Sequence, residues 1–203
     1  MHYVEQLSKD KKLKKLIEEH GTFKLRKKKN LCIYLCYSII SQQLSTKVAT
    51  VISNRFVDLY GKEPTPQQII DTPHQTLRNI GMSNAKASYV QNVARFELEF
   101  GMDQKKLSKL NNEEVIEYLT QIKGVGRWTT EMLLMFALCR EDIFAIDDLG
   151  IQNAMIGLYK LDKTDKKKLK EDLLRISKKW SPYRTYACMY MWRWKDSLPL
   201  KKK

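Results

Sequence analysis

The chain has 203 residues, 43% of them hydrophobic and 30% charged, with 37 Lys and Arg against 23 Asp and Glu and a net charge of +14. That is enough apolar material for one compact domain or two small lobes. Its 8 glycines and 5 prolines are too few for a turn-rich β-sandwich or a disordered chain.

The longest apolar run, Met132 to Cys139, lies between Glu131 and Arg140. It falls far short of the ~18 residues a membrane span needs. The start, MHYVEQLSKDKKLKK, has no apolar signal core and reads as intracellular. Cys32, Cys36, Cys139 and Cys188 show no CxxC spacing. They read as buried thiols rather than zinc ligands or disulfides, and an iron–sulfur cluster needs a tighter set. The positive balance points to a polyanionic partner.

In chain order, the spacing predicts a basic amphipathic helix over 4–20, with Leu7, Leu13, Leu16 and Ile17 inward. After a basic connector at 24–30, a helical run over 31–60 stops at Gly61. PTPQQ turns into a short helix at 66–71, and a second short helix ends at Gly81. Ser83 caps a helix over 83–101, closed by Gly101. Helices at 112–121 and 126–139 flank a GVG turn, and REDIFAIDD is an extended link. Helices over 148–159, 165–179 and 182–197 follow, the last with Pro182 in its first turn. The run 201–203 reads as a frayed tail. No segment alternates as a strand does, so the fold is all-α: one compact domain over 1–203, without internal repeats.

The turn Ile122-Lys123-Gly124-Val125-Gly126-Arg127 carries the first functional signal. Gly124 and Gly126 permit positive φ and close approach, and Ile122 and Val125 anchor the turn. The N–H groups of residues 125–129 then face outward at a helix N-terminus, a phosphate site with Lys123 and Arg127 beside it.

IKGVGRWTTEMLL resembles the helix–hairpin–helix of the DNA glycosylase superfamily. IFAIDDLGIQNAM, beginning twenty-one residues after the first Ile of that segment, resembles the loop and aspartate that follow it. SIISQQLSTKVA, LRNIGMSNAKASYV and KKWSPYRTYACMYMWRW resemble further segments of one branch, the 3-methyladenine DNA glycosylase II or alkylpurine enzymes. The resemblance covers roughly residues 31–195, in the family's order. It implies two helical lobes with the active-site cleft between them; larger members carry an N-terminal β domain, for which this sequence shows no room or pattern, so none is expected.

The resemblance implies the following roles. Asp148 is catalytic, stabilising an oxocarbenium-like sugar and directing water; as the start of a helix it meets the positive end of a dipole. Asp147 is then the cap or loop anchor. Ala145-Ile146 replaces a proline of many relatives, so the loop is expected to be less rigid. Trp128 occupies the position where strand-cutting relatives carry a Schiff-base lysine, which implies a monofunctional enzyme. Its ring suits a cationic alkylated purine, with Met132 and Tyr183 as further base-pocket residues. Tyr186, Tyr190, Trp192 and Trp194 read as packing.

Gln43, with Leu44 beside it, matches the wedge that fills the gap left by a flipped base; the alternative is a plain kink and cap at QQLS. Lys123, Gly124, Val125, Gly126, Arg127 and Thr129 match the backbone grip. The carbonyls of Thr120, Ile122 and Val125 match a monovalent Na+ or K+ site. No other cofactor is implied. Gly81-Met82-Ser83 with Lys86 reads as a second phosphate contact. The implied partner is duplex DNA with alkylated bases, bound by a monomer, with no membrane. The expected place of action is intracellular: the cytoplasm or nucleoid of a prokaryote, the nucleus of a eukaryote. Two other readings stay open: a noncatalytic DNA-binding or damage-sensing protein, and a glycosylase for another lesion.

Overall fold

The computed structural model describes residues 1–198, so the tail at 201–203 lies outside the described residues. The helices in chain order are α1 (His2–Leu7), α2 (Lys11–His20), α3 (Leu31–Ser41), α4 (Thr46–Asp58), α5 (Pro66–Asp71), α6 (His74–Asn79) and α7 (Asn84–Phe100). They continue as α8 (Gln104–Leu107), α9 (Asn112–Leu119), α10 (Arg127–Phe136), α11 (Leu149–Tyr159), α12 (Lys166–Lys178) and α13 (Arg184–Ser197). Among the described residues no strand forms, as the all-α reading expects. No helix among them is long and apolar enough to cross a membrane. The chain divides into two compact units, Arg26–Leu138 and Met1–Leu25 together with the chain from Cys139 onward.

The first unit is organised on α3 and α7. Asn30 starts α3 by accepting from the Ile33 N–H, and the helix buries Leu31, Cys32, Ile33, Leu35, Cys36, Ile39 and Ile40. Each of these leucine and isoleucine side chains, fully buried, stabilises the fold by about 1.5–3 kcal/mol. Ser83 starts α7 and Gly101 ends it, as the sequence suggests. Helix α7 packs on α3, α5 and α6, while α4 and α10 pack on α3 and α9 packs on α10.

In the second unit α13 packs on α11 and α2. Leu7, Leu13, Leu16, Trp180 and Tyr190 form its core. Asp10 joins its parts: Oδ1 accepts from the N–H groups of Lys12 and Leu13. Oδ2 accepts from the Tyr159 hydroxyl at 2.7 Å and from Trp180 Nε1 at 3.3 Å.

Local chemistry overrides periodicity at several points. The run 4–20 is two helices, because Asp10 caps a new start at α2. The run 31–60 breaks at residues 42–45, where Gln43 takes φ 58° and Ser45 caps α4. The four-residue helix α8 has no counterpart in the sequence reading. Pro182 precedes the N-cap Tyr183, so it lies outside α13 rather than in its first turn. Cys32, Cys36 and Cys188 are buried as expected, whereas Cys139 is half-buried.

Candidate functional site

In the second unit, Asp148 is both the N-cap of α11 and a buried carboxylate, 9% exposed. Its Oδ1 accepts from the Ile151 N–H at 2.8 Å and from Trp192 Nε1 at 3.0 Å. Two donors from different helices fix the plane of the carboxylate. Asp147, expected as the cap or a loop anchor, is exposed and does not cap the helix. Gly150 makes room for the pair: a Cβ there would stand 2.9 Å from Asp148 Oδ1 and 3.1 Å from Trp192 Cδ1.

The loop before Asp148 is not slack, although it lacks the proline. Arg184 Nε and Nη2 bind the Asp142 carboxylate at 2.7 and 2.9 Å, and the Ser181 hydroxyl donates to it at 2.8 Å. The Thr185 hydroxyl donates to the Arg140 carbonyl and accepts from the Ile143 N–H. Cys188 Sγ approaches the Ile143 carbonyl at 3.8 Å. Helix α13 therefore holds the loop from Arg140 to Ile143 and, one turn later, the aspartate. Burial pushes the Asp142 carboxyl up, but its bonds to Arg184 and Ser181 prevail and hold it below the ordinary value.

In the first unit, the hairpin lies between α9 and α10. Ile122 and Val125 are buried as anchors, 3% and 4% exposed. Only Gly124 takes positive φ, at 107°, and a Cβ there would fall 2.2 Å from Tyr89 Cγ. Gly126 is extended at φ −98°, with nothing near its missing side chain. The positive φ that glycine permits is therefore not used at Gly126. The Val125 N–H closes the turn on the Ile122 carbonyl at 2.9 Å, so it does not join the outward set. The N–H groups of Arg127, Trp128 and Thr129 open α10, which has no side-chain cap. The Thr129 side chain itself is buried.

Arg127 does not stand ready beside a phosphate. Its guanidinium grips Glu113 with two bonds of 2.7 and 2.9 Å and reaches buried Glu131 at 3.1 Å. Glu113, more than any other group, raises the Arg127 pKa, and Arg127 in turn lowers that of Glu113. Lys123 is exposed, and its carbonyl accepts from Asn92.

Beside the hairpin, Trp128 is 39% exposed and lines a recess of ≈ 530 Å³ with Tyr34, Tyr37, Ser38, Ser41, Gln42 and Gln43. That volume falls within the about 300–1,000 Å³ of small-molecule sites. Tyr34, fixed by its hydroxyl on the Met132 carbonyl at 3.1 Å, is pushed up to about 12 by burial. Gln43 and Leu44 stand exposed at the turn between α3 and α4.

Two expected base-pocket residues do not line this recess. Met132 is buried, 7% exposed, and is not in the recess lining. Tyr183 belongs to the other unit, where it lines a recess with Tyr3, Phe23, Glu141 and Tyr186. Lys86, expected on a phosphate, instead donates to the Ile40 and Gln42 carbonyls at 2.8 and 2.7 Å. Trp192 is no mere packing residue, since it holds Asp148. Trp194 does pack, against Gly157. The residues missed were Tyr34, Tyr37, Trp192 and Gly150. Tyr34, Tyr37, Ser38 and Ser41 carried a signal, a polar and aromatic stripe at helical spacing on an otherwise apolar α3.

Residues 36–179 match the family model of the HhH-GPD superfamily base excision DNA repair proteins. DNA-3-methyladenine glycosylase 1 of Schizosaccharomyces pombe is 38% identical over 186 residues, covering 90% of this chain and 80% of that one. A putative DNA-3-methyladenine glycosylase of Bacillus subtilis is 32% identical over 199 residues, 95% of this chain and 68% of that one. The solved S. pombe 3-methyladenine DNA glycosylase in complex with abasic DNA superposes with a TM-score of 0.87 at 35% identity, over 100% of both chains. The chain belongs to the HhH-GPD superfamily of base excision DNA repair proteins.

Proposed function

We propose that this protein is a monofunctional DNA glycosylase that removes alkylated purines from duplex DNA and so begins base excision repair. The observation that carries the reading is Asp148: a buried carboxylate held on one oxygen by Trp192 and Ile151. It stands in a chain whose relatives include proteins named DNA-3-methyladenine glycosylase.

The bond between C1′ and the base nitrogen breaks, and its electron pair leaves with the base. Positive charge develops on the sugar, where the Asp148 carboxylate stabilises it. Water directed by Asp148 then adds its oxygen to C1′ and gives its proton to that carboxylate, which passes it to solvent, leaving an abasic site. Trp128 offers no amine, so no Schiff base forms and the strand stays intact. Its ring favours a cationic methylated purine over a neutral base by roughly 0.5–2 kcal/mol. Such a base is also an intrinsically better leaving group.

Gln43, or Leu44 beside it, fills the place of the flipped base. The open turn at Gly124 and Gly126 brings the first N–H groups of α10 to a phosphate, with Lys123 alongside. The carbonyls of Thr120, Ile122 and Val125 are neutral hard oxygens suited to Na+ or K+. The Ile122 oxygen keeps a second lone pair beyond its bond to Val125. Such an ion, when bound, supplies positive charge toward the phosphate. The protein acts as a monomer on duplex DNA.

The test is release of methylated purines from duplex DNA, with strand breaks scored before and after alkali. Base release with breaks only after alkali is expected. Salt-dependent DNA binding without base release would favour a noncatalytic sensor. Release confined to a neutral lesion would overturn the alkylpurine assignment.

A further inference from the structure

The turn that carries Gln43 is closed in an unusual way. Helix α3 ends at Ser41, and the last carbonyls of a helix have no partner inside it. A glycine commonly ends such a helix and lets the chain fold back. Here the residue at positive φ is Gln43, at 58°, a conformation that costs a non-glycine residue roughly 1–2 kcal/mol. Something outside the turn must hold it.

We infer that Lys86 is the positioning residue of the wedge: from α7 it holds the two carbonyls leading into Gln43 and fixes where that side chain stands when a base leaves the stack. This rests on the glycosylase reading and adds to it a residue that touches neither base nor phosphate. The ammonium donates to the Ile40 carbonyl at 2.8 Å and to the Gln42 carbonyl at 2.7 Å. These are short, charge-assisted bonds at the negative end of a helix dipole.

Lys86 is itself held, because its N–H is the one that the Ser83 hydroxyl caps, at 3.3 Å. The connection runs from Ser83 through Lys86 to the carbonyl immediately before Gln43. Burial lowers the Lys86 pKa, as expected of an ammonium drawn from water toward fixed acceptors. Ser41, Gln42 and Gln43 also line the recess with Trp128, so the same contact shapes one wall of it.

The experiment compares wild type, Lys86→Met, Lys86→Arg, Gln43→Ala and the Lys86→Met/Gln43→Ala double variant. Single-turnover release of methylated purine is one readout. The other is fluorescence of 2-aminopurine unstacked in a duplex that carries a stable abasic analogue. Lys86→Met is expected to slow release and weaken the unstacking signal roughly tenfold, equivalent to about 1.4 kcal/mol. Lys86→Arg, which keeps charged donors, is expected to stay within about threefold of wild type. In the Gln43→Ala background, removing Lys86 should cost less than about twofold, since both losses act through one turn. The salt slope of binding to unmodified duplex should not change.

A wild-type rate for Lys86→Met overturns the inference. So does an equal loss in both backgrounds, or a salt slope reduced by about 1, the mark of a phosphate contact. If wild type releases no base, the glycosylase reading fails, and the unstacking signal still decides the role of Lys86. If Lys86→Met is unfolded at the assay temperature, Lys86→Gln, with a neutral donor, makes the same comparison.

Discussion

Trp192 Nε1 donates to Asp148 Oδ1 at 3.0 Å, joining the middle of α13 to the N-cap of α11. A tryptophan donor in that place neither takes up protons nor leaves the carboxylate free to rotate. Replacing it by phenylalanine keeps an aromatic ring, smaller than the indole, and removes the donor. Loss of a hydrogen bond to a charged group is worth about 1.5–3 kcal/mol. Trp192→Phe is therefore expected to slow single-turnover base release by roughly 10- to 100-fold, while duplex affinity is retained. An unchanged rate would remove Trp192 from the catalytic apparatus.

The two hairpin glycines differ in kind, and stability measurements should separate them. Gly124 combines φ 107° with a Cβ position 2.2 Å from the Tyr89 ring. Gly124→Ala should lose about 1–3 kcal/mol of unfolding free energy. Gly126 is extended and faces open space, so Gly126→Ala should stay within about 0.5 kcal/mol and show its effect in DNA affinity instead. Urea unfolding of both variants is the check.

Lys123 and Arg127 flank the same turn, yet salt titrations should tell them apart. The guanidinium of Arg127 is committed to Glu113 and Glu131, whereas Lys123 is exposed. Lys123→Ala is expected to reduce the slope of log affinity against log salt by about 1. Arg127→Ala should leave the slope unchanged and lower thermal stability, because the tie between α9 and α10 is lost.

The pairing of Asp142 with Arg184 gives a pH dependence of defined sign. The folded carboxyl lies below its ordinary value. Its contribution to stability is therefore complete above about pH 4 and is lost as pH falls through the folded value. Asp142→Asn should be less stable than wild type at neutral pH, and the difference should shrink on acidification. Unfolding midpoints measured from pH 7 down to the acid limb test this. A gap that widens toward low pH would contradict it.

The sequence was most informative where local chemistry acts alone. Ser83 is a short polar residue before an amphipathic run, and it caps α7 as expected; before α11 the cap is Asp148 rather than its neighbour Asp147. Apolar periodicity misled where it continued across a break, as at residues 42–45. There the signal lay in Ser45 and in a backbone turn that periodicity does not encode. Within the candidate site, Asp148, Trp128 and the hairpin were legible because their spacing is short and ordered. Trp192 and Gly150 were not, because their partner lies far away in the sequence or matters only once α13 has packed on α11. Arg127 and Lys86 show the same limit: a basic residue near a phosphate-binding turn looks alike whether it meets DNA or, as here, a carboxylate or a carbonyl.

The most direct test of the account is the single-turnover rate of methylated-purine release by Asp148→Asn. Asparagine keeps the shape and an oxygen to accept from Ile151 and Trp192, removes the charge, and turns the second acceptor oxygen into an NH2 donor. With the fold retained, the rate should fall by on the order of 100-fold or more, with duplex binding unchanged. Release at the wild-type rate would contradict the claim that the Asp148 carboxylate stabilises the sugar cation.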